Sequence, residues 1–304
     1  MTPRVASIGE CMVELKERPD GALTRSHGGD TLNTAIYLAR LGVTVDYVTA
    51  LGDDPWSDEM AAAWQAEGVG TSLVRRVANR LPGLYVIQTD AGGERRFTYW
   101  RDSAAARIVF DLPDAPALVE ALAGYDLLYF SGITLSIYGE AGRARLFGGI
   151  EAIHDRGGRV AFDTNFRPRG WPDRDIARLL YRDAFAHADF ILASTEDLDL
   201  LFGADGESEL RRHGAAAEIV LKLASPGVMV KLDGVETLVE APPVAKLADT
   251  TAAGDSFAAA YLAARLRGAS TVAAAQAGHR LAGLVVQYPG AIIPRSAMNS
   301  EITP

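Results

Sequence analysis

The stretch Asp249-Thr250-Thr251-Ala252-Ala253-Gly254-Asp255-Ser256-Phe257 sets two hydroxyls, three small residues and a carboxylate at the head of the apolar run Ala258-Ala259-Ala260-Tyr261-Leu262-Ala263-Ala264. A helix beginning near Ala252 or Ala253 leaves its first N–H groups unpaired and carries partial positive charge there, so phosphate binds readily. Ala252, Ala253 and Gly254 keep the approach clear, and Asp255 stands within reach of whatever the phosphate meets. The helix end favours the ionised form of Asp255, which can take the proton of an attacking hydroxyl while the amides hold the transferring group. An N-capped core helix, with Thr250 or Thr251 as the cap, fits the same residues. Gly254-Asp255-Ser256 also echoes the Gly-Asp-Ser nucleophile of some esterases. Those motifs usually follow the first strand, and no Asp-x-x-His pairing follows here.

The rest of the chain must supply partners for that site. Its 304 residues, 48% hydrophobic, suffice for a sizeable core. A net charge of −9 argues against non-specific binding to nucleic acid or anionic membrane, so an acidic ligand needs locally placed Arg or Lys. Cys11 is the single cysteine, which excludes an intrachain disulfide and a cysteine-based metal cluster. No apolar run is long enough to span a bilayer, and Glu10 interrupts the N-terminal apolar residues too early for a signal peptide. A cytoplasmic location is the expectation.

Val5 to Ile8 reads as a buried strand, and Cys11 to Leu15 as a half-exposed one. Gly28-Gly29-Asp30-Thr31-Leu32-Asn33 then opens an amphipathic helix that stops at Gly42. The glycines let a ligand approach the backbone. Asp30 and Asn33, three apart, share a helical face on which they can grip vicinal hydroxyls, although an Asp cap with an incidental Asn fits equally. Val45 to Leu51 is the next strand, and Asp53-Asp54-Pro55 opens a helix through Ala66. Leu84 to Thr89 and Arg95 to Arg101 flank Asp90-Ala91-Gly92-Gly93 as a β-hairpin. Its alternation puts Phe97, Tyr99 and Arg101 on one face.

From about Leu118 strands and helices alternate, which implies βαβ units and a mostly parallel sheet with ligands beyond the carboxyl ends of its strands. The strands are Leu127 to Phe130, Arg159 to Asp163, Phe190 to Ala193, Ile219 to Leu223 and Val228 to Lys231. Asn165, Arg167, Ser194, Asp197, Lys231 and Gly234 follow or end such strands and outline a cleft. Two helices, Gly254 to Arg267 and Ser270 to Gln287, close the fold. The second carries His279, and no His/Asp/Glu spacing marks a tightly bound metal.

These residues resemble the ribokinase-like (PfkB-type) carbohydrate kinases. Asp249 to Phe257 is similar to that family's C-terminal signature, and Gly28-Gly29-x-x-x-Asn33 with its helix is similar to the N-terminal one. Ile8-Gly9-Glu10-Cys11-Met12, Tyr99-Trp100-Arg101 and Gly290-Ala291-Ile292-Ile293-Pro294-Arg295 narrow the resemblance to the 2-keto-3-deoxygluconate kinase branch. The resemblance implies a single α/β domain over residues 1–304: a three-layer αβα ribokinase-like fold with a mostly parallel sheet and a β-rich lid at about 10–16 and 84–101. It also implies phosphorylation of the C6 hydroxyl of 2-keto-3-deoxy-D-gluconate by ATP with Mg²⁺, a monovalent cation such as K⁺ being a further candidate.

By the same resemblance Asp255 is the base, and the amides of residues 252–255 form the anion hole. Gly29, Asp30, Asn33, Tyr85, Tyr99, Arg101 and Arg167 hold the sugar, with the arginines facing its carboxylate. Asn165, Ser194, Lys231, Gly234, Thr251, Gly254 and His279 fall on the nucleotide side, and Asp197 acts on Mg²⁺ through water. A homo-oligomer through the lid is implied as well. The chain departs from the family at Ser194, where Asn is common, and at Lys231 to Glu236, where the glycine of a Lys-x-Gly-x-x-Gly loop is displaced. Kinases for fructose, ribose or another sugar acid, and a sugar-acid-binding regulator without activity, are the alternatives.

Overall fold

A computed structural model describes residues 3–89 and 95–298, so the expected Asp90–Gly93 turn lies outside the described residues. The elements run β1 (Arg4–Ile8), β2 (Met12–Glu17), β3 (Leu23–Gly28), α1 (Asp30–Arg40), β4 (Thr44–Leu51), α2 (Pro55–Ala66), β5 (Val74–Arg76), β6 (Leu84–Thr89) and β7 (Arg95–Trp100). They continue with α3 (Ala115–Leu122), β8 (Leu127–Ser131), α4 (Gly132–Ile137), α5 (Glu140–His154), β9 (Arg159–Asp163), α6 (Arg174–His187), β10 (Phe190–Ser194), α7 (Thr195–Phe202) and α8 (Gly206–His213). The chain ends with β11 (Glu218–Lys222), β12 (Gly227–Leu232), β13 (Val235–Glu240), α9 (Ala253–Leu266) and α10 (Thr271–Val285).

One sheet has the order β13-β12-β11-β10-β9-β8-β1-β4-β5. Its neighbours from β11 to β5 pair in parallel, and β12 and β13 add an antiparallel edge. Both faces are covered, which is why its strands read as near-continuous apolar runs. Val5, Leu127, Tyr129 and Leu192 turn to a core shared with α1, α2, α9 and α10. Leu128, Phe130, Phe162 and Ile191 turn to the opposite core, with α3, α5, α6 and α8. The result is three layers, αβα. Beyond β1 the chain builds first toward β4 and later toward β8, so the strand order reverses between β1 and β8, where such sheets bind ligands.

The second sheet, β3-β2-β6-β7, pairs β2 with β6 in parallel and its other neighbours antiparallel. β3 was not expected. Its residues are exposed apart from the last two, so no apolar alternation marks it. Where β3 hands over to α1, a Cβ on Gly29 would lie 2.1 Å from the carbonyl oxygen of Glu10, against backbone that cannot swing away. The glycine therefore permits chain to pass chain. Gly29→Ala is expected to cost about 1–3 kcal/mol, seen as a lower melting temperature. Gly28→Ala, whose Cβ meets only the Tyr85 hydroxyl at 3.3 Å, is expected to cost clearly less.

Candidate active site

Helix α9 begins without a cap. Its N-cap residue is Ala252, held at φ 60° in the left-handed region, and it offers no side-chain cap to the first N–H groups. Neither Thr250 nor Thr251 serves as the cap that sequence allowed: the Thr251 N–H and hydroxyl both donate to Asp249 Oδ1, at 3.0 and 2.6 Å. The Ala253 N–H closes a turn on the Thr250 carbonyl. Of the amides of residues 252–255 expected to form an anion hole, that of Ala253 is thereby engaged, while those of Gly254 and Asp255 lie in the first turn of α9. Alanine is rarely left-handed, and the strain is the kind found where a ligand is received.

Around this helix start opens a cleft of about 880 Å³ at the carboxyl ends of the parallel strands. Asp255 is half-buried in it. Asn33, near the head of α1, donates its amide to Asp255 Oδ2 at 2.8 Å, and the Asn33 carbonyl oxygen is buried without a partner. Burial, then the charge of Asp30, and more weakly that of Asp163, push the Asp255 carboxyl up to about 8. Asn33 and Lys222 pull the other way without prevailing. The helix end was expected to favour ionisation. It is outweighed because two acidic neighbours share a poorly solvated pocket.

If Asp255 is the base, kcat/KM should rise with pH and level off above about 8, because that parameter reports the free enzyme and the base must be ionised. Asp30→Asn removes the like charge that acts most on Asp255, so the rise should move to lower pH even as the maximum falls. A pH profile of both proteins checks this.

Asp30 Oδ2 accepts from the Asn165 amide at 2.6 Å, and Asn165 adopts φ 26°. This links α1 to the loop after β9 and places Asn165 beside Asp30, on the side expected to hold sugar. Tyr85, Phe97 and Tyr99 form an aromatic wall from the second sheet, the Tyr85 and Tyr99 rings 5.8 Å apart and those of Phe97 and Tyr99 stacked at 6.3 Å. The Tyr85 hydroxyl donates to Glu14, which also accepts from Ser26 at 2.8 Å. Arg167 lines the cleft with its side chain 60% exposed, its guanidinium 3.6 Å from Asp197 Oδ1. Arg101 does not line the cleft and bonds the buried carboxylate of Glu10.

Ser194 lines the cleft and caps α7 by accepting from the Asp197 N–H at 3.1 Å. Asp197, buried, accepts from Thr164 at 2.7 Å. Lys231, Gly234 and His279 are not brought to the cleft. Asp233 and Gly234 are the two-residue turn between β12 and β13, both at positive φ (50° and 78°), so the displaced glycine is a hairpin signal. Lys231 lies within β12, and the buried His279 bonds the Val239 carbonyl at 3.0 Å.

Lys222 occupies the place expected of Lys231. It ends β11, with Nζ 3.5 Å from Asp163 Oδ2 and the same distance, within 0.1 Å, from where a Cβ on Gly254 would stand (3.4 Å). Asp163, 3% exposed, has its Oδ1 buried without a partner. Both were missed. Each ends a parallel strand, and Gly227, held at φ 157°, stands five residues after Lys222, at the spacing that Lys231 lacks.

The model for the pfkB family of carbohydrate kinases matches residues 2–298. The chain is 48% identical to a 2-dehydro-3-deoxygluconokinase of Dickeya dadantii and 45% identical to that of Escherichia coli K12, in each case over 98% of this chain and 99% of the relative. In fold it is similar to a fructokinase of Xylella fastidiosa solved with bound ATP, with a TM-score of 0.85 over 98% of this chain and 95% of that one at 24% identity. A whole-length family match, near-complete coverage by its relatives and a shared three-layer architecture agree: the chain belongs to the pfkB family of carbohydrate kinases.

Proposed function

We propose that this protein transfers the γ-phosphoryl group of ATP to the C6 hydroxyl of 2-keto-3-deoxy-D-gluconate. The observation that carries the reading is one cleft lined by a carboxylate at an uncapped helix start, a lysine beside that start and an exposed guanidinium, Arg167. A neutral sugar gives no reason for a guanidinium in its pocket, whereas an aldonic-type acid does. The names of the relatives at 45–48% identity support the same substrate.

In this reading Asp30, Asn33 and the Tyr85–Tyr99 wall hold the sugar, and Arg167 receives its carboxylate. The C6 oxygen attacks the γ-phosphorus as the bond to the ADP oxygen breaks, and the hydroxyl proton passes to Asp255. The Gly254 and Asp255 amides and Lys222 balance the phosphate charge. Mg²⁺ that arrives with ATP needs only one or two carboxylates besides phosphate and water. Asp163, with its unpartnered buried oxygen, and Asp197 fit that demand, and the ion would neutralise phosphate charge there. Among the described residues no acidic or histidine group suffices to hold a metal by itself. Leu23 and Trp100, 53% and 59% exposed on the second sheet, support a homo-oligomer through that sheet.

An ATP-consumption screen of keto-deoxy acids against fructose and ribose, with and without K⁺, tests the proposal. Turnover of the acid, with phosphorus coupled to C6 in the product spectrum, is expected. Turnover of fructose without turnover of the acids would sink the substrate assignment.

A further inference from the structure

One transverse row of the second sheet carries Ser26, Glu14, Tyr85 and Tyr99, each directly opposite the next on β3, β2, β6 and β7. All four line the cleft. Glu14, inside the row, takes a hydrogen bond from each side: its Oε2 from the Tyr85 hydroxyl and its Oε1 from the Ser26 hydroxyl. A Cβ on Gly28 would stand 3.3 Å from the same Tyr85 oxygen, which therefore lies at the turn leading into α1 with its Asp30 and Asn33. Cross-strand pairing needs no carboxylate at this place. A threonine or an apolar residue would hold the strands as well.

What the carboxylate supplies is a direction. A phenol carries one proton to donate and lone pairs that accept. Burial, then the charge of Glu14 and its hydrogen bond, push the Tyr85 hydroxyl far above its ordinary value, so the proton stays on the phenol oxygen and points to Glu14. Toward the cleft that oxygen shows lone pairs alone. It can accept from a hydroxyl, whereas a keto, carboxylate or phosphate oxygen would meet it lone pair against lone pair.

We infer that Glu14 is a specificity-determining residue: by holding the Tyr85 proton on its own side, it makes Tyr85 an acceptor that takes a substrate hydroxyl and refuses a group with no proton to give. The inference rests on the sugar-acid reading above, in which the substrate offers such hydroxyls at C4 and C5. The effect of Glu14 passes through the Tyr85 oxygen. It also turns the carboxylate end of the substrate away from this wall, which leaves that end to Arg167.

The test compares KM for 2-keto-3-deoxygluconate with KM for its 4-deoxy-4-fluoro and 5-deoxy-5-fluoro analogues, since fluorine stands in for a hydroxyl, bears lone pairs and has no proton to donate. The wild type is expected to disfavour at least one analogue about thirtyfold. In Glu14→Leu the Tyr85 proton is free to turn toward the cleft, so that penalty should fall to within about threefold while KM for the parent acid changes less than about fivefold. Tyr85→Phe should abolish the penalty and raise KM for the parent acid, and adding Glu14→Leu to it should change the penalty no further. Melting curves identify any variant that is not folded, and Glu14→Met serves should Glu14→Leu fail to fold. A wild type without a penalty at either carbon would overturn the inference. So would a Glu14→Leu protein that keeps the penalty in full, losing parent and analogue in equal measure, since Glu14 would then be a structural residue. A wild-type protein that turns over none of the keto-deoxy acids refutes the sugar-acid reading, and the inference with it, before any variant is made.

Discussion

Asp255→Asn is expected to lower kcat by about three orders of magnitude and, in the same protein, to raise the melting temperature at pH 8. The first effect follows from the loss of a positioned base, worth about 10²–10⁴ in rate. Asn can still accept from the Asn33 amide through its own carbonyl oxygen, so the 2.8 Å contact survives and the pocket keeps its shape. ATP affinity should therefore change little. ADP release followed over hours, with a nucleotide-binding titration beside it, separates lost chemistry from lost folding. Retention of more than a tenth of the wild-type rate would remove Asp255 from the role of base.

The stability effect has its own sign. The Asp255 carboxyl is raised from its ordinary 3.8 to about 8 in the folded protein. Between those values the native state holds a proton that the unfolded chain has released, so native stability falls as pH rises through this window and the loss is complete above it. Asn has no charge to bury. The melting-temperature difference between variant and wild type should be near zero at pH 4, grow from about pH 5 to pH 8, and level off beyond. Bound ligand supplies compensating charge, so the difference should shrink when substrate and nucleotide are present. A site built for turnover is thus a site of weakness when empty.

Much of this cleft was legible in the residues, because helix starts and strand ends are local features. Thr251 to Asp255 and Gly28 to Asn33 each carry their turn, their small residues and their first helical turn within a few positions, and Asn33 meets Asp255 as the shared site required. Asn165, Arg167, Ser194 and Asp197 were found by the same rule, that polar residues beyond parallel strands face ligand. Lys222 obeys the rule as well and was passed over because Lys231, with Gly234 three residues on, was read as a displaced form of the Lys-x-Gly-x-x-Gly loop. Asp233-Gly234 at positive φ is a hairpin turn, and taking it for a ligand loop also hid β13. Strand β3 could not be seen by periodicity, since its residues are mostly exposed. The Asp255 shift and the Glu10–Arg101 pair depend on contacts between distant positions, Asp30 with Asp255 and Glu10 with Arg101. No window of sequence holds both members.

Lys222→Met is expected to reduce kcat/KM for ATP about tenfold to hundredfold, the range for losing one hydrogen-bonded ionic contact. Met preserves the length of the stem and removes only the ammonium group, so packing at the end of β11 is little disturbed. Lys222 lies between two partners of opposite need. On one side is Asp163, already pushed up by burial, with Lys222 its leading restraint; on the other is the uncapped start of α9 at Gly254. Removing the cation should weaken phosphate binding and also raise the carboxyls that it restrains, Asp163 first and Asp255 less. The rise of kcat/KM with pH should accordingly move to higher pH in Lys222→Met, opposite to its movement in Asp30→Asn. Lys231→Met, within β12 and away from the cleft, is expected to change neither value by more than about twofold, since a lysine outside the site has no phosphate to meet. A reversed pair of results, with Lys231 needed and Lys222 dispensable, would return the nucleotide to the β12–β13 hairpin. The two lysines therefore test where the phosphates lie, and the two opposite pH movements test whether the charges around Asp255, more than the helix end beneath it, set when the base is ready.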